Sequence, residues 1–455
     1  MPDAQTRPNM VLRAARWLLN GGWVERDKAA AAFERMHRRD AIGDRIHLIF
    51  AMVAAFALAG PTTIAEIAAA PLLVFFFVRV LNAGPTWIHW LGQPVMLGGL
   101  ALAAWQGLAL AWSGDVPLGL DHMGSLRWLA IGVLFWPVIE KRRYLIGALA
   151  LGFVAGNLSQ LGHAIGRAYD ISWLTWPRYA HRNSGWWDPV VGGSLLCASL
   201  GLHLPAALLG RGRVRIVGLG ACAATGVALV ATGTRGAWIA AITLVGCALV
   251  WALWKAWRAG RGHRRRAVVP VLITLALAII VGGVAWEFAG KSVRNRVNKA
   301  RTEIVAGLDG DTSSDTGKRI AMARWGGRAF AERPVAGVGT GGYRAWVVAR
   351  DPDAPVHNHA HNAPLHIAAT NGVVGLALAG FVVLAGVRAG FVVFPITPGA
   401  RGWSVYDAGP AWAIGGLMLA GMFDAVHLNT QTAAVLGLLL GLCPCWRPVP
   451  ACAMG

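Results

Sequence analysis

Charged side chains are scarce in this chain. They make up 14% of its 455 residues, against 56% apolar residues, and mean hydropathy is +0.50. Ordinary globular domains carry about a quarter charged residues, which excludes a single soluble core and indicates a polytopic membrane protein. Carboxylates are scarcer still, 22 Asp and Glu against 42 Lys and Arg, a net charge of +20. The arginines fall in short clusters between apolar runs, so anionic lipid and phosphate-bearing lipid substrates are expected as partners, and nucleic acid is not. Cysteine is sparse as well: Cys197, Cys222 and Cys247 lie in apolar runs, and Cys443, Cys445 and Cys452 lie near the C-terminus. Cys443-Pro-Cys445 has no second pair, which argues against a zinc or disulfide framework. No internal repeat or low-complexity tract stands out. The first 46 residues are basic and amphipathic rather than apolar, so they do not read as a cleavable signal. Arg13 to Trp23 is expected to lie as a helix on the cytoplasmic membrane surface.

What the chain does have is apolar runs and tryptophan. Runs occur near 47–60, 64–82, 94–113, 127–139, 144–160, 189–209, 214–231, 236–254, 267–288, 366–390, 409–424 and 430–446, about twelve spans. Twenty-two tryptophans suit interfacial belts. The predicted fold is therefore an all-α polytopic membrane protein of about 12 transmembrane helices. Its parts are a cytoplasmic basic segment over 1–46, helices 1–9 over 47–288, a long and partly helical periplasmic loop over 289–365, helices 10–12 over 366–446, and a cytoplasmic tail over 447–455. Basic clusters set the orientation. Lys141-Arg142-Arg143, Arg211 to Arg215 and Lys255 to Arg266 share one side with the basic N-terminus, which the positive-inside rule makes cytoplasmic.

The loop 289–365 breaks that charge bias. It holds twelve Lys and Arg against seven carboxylates. Long loops translocate regardless of charge, so the topology survives. Anion binding would account for the excess; a solvated helix face is the bland alternative. Residues 319–333 predict a helix with an apolar stripe at Ile320, Ala323 and Phe330, stopped by Pro334. Gly337-Val-Gly339-Thr-Gly341-Gly342 follows. It lacks the βαβ setting of a dinucleotide loop and reads as a tight backbone passage beside a ligand or against the bundle.

At the end of the loop stands His357-Asn358-His359-Ala360-His361-Asn362. Spacing of two would project all three imidazoles to one side of an extended segment, whereas in a helix His357 and His361 would stack. Metal binding with Asp351 or Asp353, a water-satisfied polar rim, and acid–base chemistry are all open at this point. Two arginines favour the last. Arg235 follows Thr232-Gly-Thr234 at the external mouth of an apolar helix, where a charge needs an anion or a partner. Arg319 opens the predicted loop helix, and Arg182 is a third candidate on the same side. Guanidinium forks suit diphosphate oxygens.

Together these residues resemble a known family. Arg319, Pro334 fifteen positions on, Gly337-Val-Gly339, His359-Ala-His361-Asn362 with Leu365, and Gly372-Val-Val-Gly375 are similar to the O-antigen ligase and polymerase superfamily. Thr232-Gly-Thr234-Arg235-Gly236 matches its Arg-Gly signature opening a membrane helix. The resemblance covers about 225–380. It departs at Ala323, where an aromatic is usual, and at Asn371, where an acid is frequent. It implies a multi-pass protein of the bacterial inner membrane with its active site on the periplasmic side. The implied reaction is metal-independent and cofactor-free transfer of a glycan from undecaprenyl diphosphate to a sugar hydroxyl of lipid A–core, with inversion. His361 would be the general base; Arg235, Arg319 and Arg182 would hold the diphosphate; His359, Asn362 and Gly339 would support. A polymerase and a protein O-oligosaccharyltransferase of the same superfamily are rival assignments, and a lipid or solute transporter is a rival outside it. A transporter would leave the external histidines unexplained, and no paired half-repeats are found.

Overall fold

The computed structural model describes residues 26–175, 183–258, 297–392 and 403–443, with scattered positions between 268 and 295. Every regular element among them is helical. We number the α-helices α1 (Arg26–Arg39), α2 (Ala41–Leu58), α3 (Thr62–Val78), α4 (Val80–Leu91), α5 (Pro94–Leu108), α6 (Val116–Gly124), α7 (Ile131–Phe135), α8 (Arg142–Ala168), α9 (Pro189–Leu209), α10 (Arg213–Thr232), α11 (Arg235–Arg258), α12 (Asp315–Glu332), α13 (Tyr343–Val348), α14 (Ala363–Val392), α15 (Gly409–Gly421) and α16 (Thr430–Leu442). Residues 297–308 are helical too. Among the described residues, seven helical segments are long and apolar enough to cross a membrane, or eight if the bent pair α3 and α4 counts as one span. The surface helix at Arg13–Trp23 lies outside the described residues, and the expected span at 267–288 is described at scattered positions only.

Lipid tails give apolar helices no reason to leave them for one another, so packing rests on close backbone approach and polar contacts. The central helix α9 shows both, being buried along nearly its whole length. A Cβ on Gly201 would fall 2.3 Å from Trp412 O, and one on Gly416 2.3 Å from Cys197 O. Glycines on α9 and α15 thus bring the two backbones together. On the other flank Asn157 Nδ2 of α8 donates to Thr225 Oγ1 of α10 at 2.8 Å and to Ser199 Oγ of α9 at 3.3 Å.

Three expected elements differ. The run 64–82 is a helix pair bent by 102°. At the corner Arg79, 2% exposed, donates its Nε–H to Asp40 at 2.7 Å. A buried guanidinium must follow its carboxylate, and Asp40 is fixed as the N-cap of α2. The run 127–139 is a five-residue α-helix between two 3₁₀ stretches, the second holding Pro137 with no amide to donate. Finally, α12 starts at Asp315 rather than 319, because Ser314 caps it by accepting from the Gly317 amide at 3.0 Å. Its buried face is Met322, Gly326 and Ala329; Ile320, Ala323 and Phe330 are half-buried.

The glycine run is explained by α14, which breaks at Gly372 (φ +66). A break leaves carbonyls and amides without helical partners. Here Ala369 O and Thr370 O accept from Val338 N and Gly339 N, each at 2.9 Å, while Val373 N donates to Pro334 O at 2.8 Å. Gly337, with φ +68, sits so close that a Cβ would meet Thr370 backbone at 2.3 Å. The passage therefore serves the bundle. Gly339 itself packs on Ser113, 2.6 Å from where a Cβ would stand.

Candidate active site

The histidine motif is held by a small core of its own. Ala329, Val338, Tyr343, Trp346, Val347, Ala360 and Ala369 form it, and Tyr343 donates its hydroxyl to Met322 O at 2.7 Å. Ala360 is 1% exposed and lies against Gly326, where a Cβ would stand 3.4 Å from its own. Burying this small residue against α12 leaves the flanking imidazoles, His359 and His361, to fill the space beside it. The segment is not extended: His361 has φ +51, a left-handed turn unusual for a residue with a Cβ. The turn still gathers the rings. Centroids of His359 and His361 are 4.2 Å apart, and those of His357 and His361 are 5.5 Å apart. Asn362 caps α14, its Oδ1 accepting from Leu365 N at 2.9 Å, and its Nδ2 donates to Met422 O at 2.9 Å. That bond ties the motif to the loop between α15 and α16.

Asp424 sits in this loop. Its Oδ1 lies 3.3 Å from His361 Nδ1, and each side chain is 18% exposed. Burial pushes the carboxyl up, but the hydrogen bond with His361, the His359 ring and the Ala425 amide outweigh it and hold Asp424 below the usual carboxylate range. Asp424 is therefore an anion, and an anion accepts. His361 Nδ1 then carries the ring proton, leaving the Nε2 lone pair to receive another. A base oriented by a carboxylate in this way is a recurring catalytic pair. Asp424 was not singled out from the sequence.

His359 differs. Its Nδ1 accepts from the His361 amide at 3.2 Å, and burial pushes its pKa down to about 4, with the His361 ring adding to the effect. It is a neutral supporting ring. His357 is also lowered, by burial first, then by His361 and the cations Lys318, Arg319 and Arg344. Those three cations thus bear on the site, and Arg344 was not singled out from the sequence either.

Arg319 and the start of α11 approach the same loop. Arg319 Nη1 reaches Phe423 O at 3.4 Å. Arg235 opens α11, and the next residue, Gly236, is so near Phe423 that a Cβ would lie 2.5 Å from its Cβ. Phe423 therefore touches Arg319 and lies beside the residue that follows Arg235, and Asp424 is its neighbour. Arg235 Nη1 is 3.0 Å from Glu303 Oε2, the partner its position at the helix mouth called for. Arg182 lies outside the described residues. Arg235 is separated from the basic cluster at Arg211 to Arg215 by the whole of α10, which at 1.5 Å per residue is roughly 30 Å.

One cation could fit between His359, His361 and Asp424, whose donor atoms all lie within 4.8 Å of one another. Asp424 takes the place that the sequence suggested for Asp351 or Asp353; Asp351 instead accepts from the Asp353 amide at 3.2 Å. The tautomers disfavour a metal. With Nδ1 of His359 accepting a backbone amide, its neutral ring carries the proton on Nε2 and has no lone pair left for a metal.

Fold and site together define an all-helical, multi-pass membrane protein with an imidazole–carboxylate pair beside two arginines. Residues 220–380 match a family model described as O-antigen ligase, which supports placing the protein in the O-antigen ligase and polymerase superfamily of membrane glycosyltransferase-like enzymes. Such a family implies lipid-linked glycan substrates. No curated protein matches the chain. The matched segment holds Arg235, Arg319 and His361; Asp424 lies beyond it.

Proposed function

We propose that the protein is an O-antigen ligase of the bacterial inner membrane, acting on its periplasmic side. It transfers a glycan from undecaprenyl diphosphate to a sugar hydroxyl of lipid A–core. The acceptor oxygen attacks the anomeric carbon while His361 Nε2 takes its proton; the bond from that carbon to the diphosphate oxygen breaks, and the configuration inverts. Arg235 and Arg319, with Arg182 as a third, hold the diphosphate and offset the charge growing on it as it leaves. Asp424 keeps His361 in the accepting tautomer and steadies the imidazolium as it forms. Neutral His359 and the capping Asn362 fix the turn that carries the base. Proton transfer to a positioned imidazole needs neither a metal nor a cofactor.

The observation that carries this reading is Asp424 against His361 Nδ1, one loop residue away from Phe423, whose carbonyl Arg319 reaches. The test is transfer of lipid-linked glycan to purified lipid A–core by the detergent-solubilised protein, with and without a chelator. Glycosylated core in both reactions is expected. Lengthening of the lipid-linked glycan with no core product would make the protein a polymerase instead.

A further inference from the structure

We infer that Glu303 is an internal stand-in for the donor's diphosphate, holding Arg235 in the free enzyme and leaving it when the donor arrives. This rests on the reading of Arg235 as a diphosphate ligand. Glu303 Oε2 is 3.0 Å from Arg235 Nη1 and accepts the Thr316 hydroxyl at 2.6 Å, while Oε1 is 3.7 Å from Lys299 Nζ. Arg235 Nη1 also reaches Thr316 Oγ1 at 3.4 Å. A guanidinium, a hydroxyl and an ammonium thus surround one carboxylate. Arg235 opens α11 and Thr316 lies in the first turn of α12, so the two helix starts meet through these side chains. The Glu303 side chain is 12% exposed and that of Arg235 31%, so the acid sits deeper than the base it covers.

The helical stretch 297–308 brings Glu303 there by leaning on α12. A Cβ on Gly307 would lie 2.8 Å from Gly317 Cα, and Arg324 donates to Leu308 O at 2.6 Å. Burial works against the Glu303 charge, but Thr316, Arg235 and Lys299 hold its carboxyl below the usual range. The ion pair is therefore made whenever nothing displaces it.

The same Nη1 cannot serve Glu303 and a diphosphate oxygen fully at once. A diphosphate carries more charge than one carboxylate and can engage the guanidinium by two bonds, so it displaces Glu303. A lipid monophosphate competes less well. Glu303 then does two things: it satisfies Arg235 when no donor is present, and it sets a threshold that a phosphate-bearing lipid must exceed to bind. If it occupies Arg235 in about nine molecules of ten, apparent donor affinity is lowered about tenfold.

The test measures binding of undecaprenyl diphosphate and of undecaprenyl phosphate to the full chain in detergent, for wild type, Glu303→Gln, Glu303→Asp, Arg235→Gln and the double variant with both Gln changes. Glu303→Gln should bind the diphosphate about tenfold tighter. The double variant should lose the gain. Glu303→Asp, too short to span Arg235 and Thr316, should fall between and keeps the comparison usable if the Gln variant misfolds. Unchanged or weaker diphosphate binding in both Glu303 variants, with Arg235→Gln impaired, would show that Glu303 orients Arg235 and would overturn the inference while leaving the diphosphate site standing. Wild-type binding by Arg235→Gln would remove the diphosphate role of Arg235 itself.

Discussion

Asp424→Asn is the most informative single change, because it keeps the shape of the pair and removes its charge. A general base must start uncharged, so the proposed role makes the ground-state loss small. At the transition state the ring is becoming an imidazolium, and the full attraction to Asp424 is realised only then. Two unit charges at the observed 3.3 Å interact by about 5 kcal/mol at an effective dielectric of 20. Both side chains are 18% exposed, so some of this is screened, and we take about half, roughly 2.5–3 kcal/mol, as the loss. That corresponds to about a 100-fold fall in kcat. It sits inside the roughly 10²- to 10⁴-fold range of general-base catalysis, as an orienting group should. The assay is single-turnover transfer from radiolabelled lipid-linked glycan to lipid A–core at saturating donor. Donor affinity should hold within a factor of about two, because Asp424 faces the base and not the diphosphate. A kcat within threefold of wild type would refute the orienting role. Loss of activity restored by one added divalent ion would recast Asp424 as a metal ligand.

Four further outcomes follow from the same geometry. Arg235→Ala and Arg319→Ala should each cost on the order of 10²-fold in turnover and weaken donor binding, with lysine restoring only part; full activity in both lysine variants would mean that a diffuse positive field suffices. EDTA should leave transfer unchanged, and elemental analysis should find no stoichiometric zinc; activity lost on chelation and regained with zinc would end the base-only account. His359, held at about 4 in the fold against an ordinary 6.5, stabilises the protein fully above 6.5, and that contribution is lost as pH falls from there toward 4; melting temperature should drop less over this window in His359→Gln than in wild type, and equal drops would remove the burial argument. Single cysteines at Thr316 and Ala354 should react with an impermeant maleimide in spheroplasts while one at Arg211 does not; the reverse pattern would place the histidines in the cytoplasm.

Much of the site lay open in the sequence because its parts are local. The three histidines fall within five residues, Arg235 sits at a helix mouth, and Pro334 marks the end of α12, although its start after Ser314 was missed. The companions were hidden by distance along the chain. Asp424 is 63 residues from His361 and fell at the end of an apolar run, where a carboxylate reads as a span terminus. Its place on the same side as the histidine motif was the available clue. Glu303 is 68 residues from Arg235 and looked like one more charge on a solvated face. The broken helices had local causes, Pro137 and Gly372 among them, but hydropathy averages over a window and passes across such breaks. The glycine passage shows the converse. Its conformational freedom was legible, yet its purpose depends on carbonyls that only the kink in α14 exposes.

The proposed reaction depends on His361 as the acceptor of the hydroxyl proton, and the direct measurement compares His361→Ala with wild type in two assays on the same preparation. One is transfer to lipid A–core; the other is binding of undecaprenyl diphosphate. The account predicts transfer reduced by about 10²- to 10⁴-fold, with binding within a factor of about two. Transfer at the wild-type rate, or transfer and binding lost together, would contradict it.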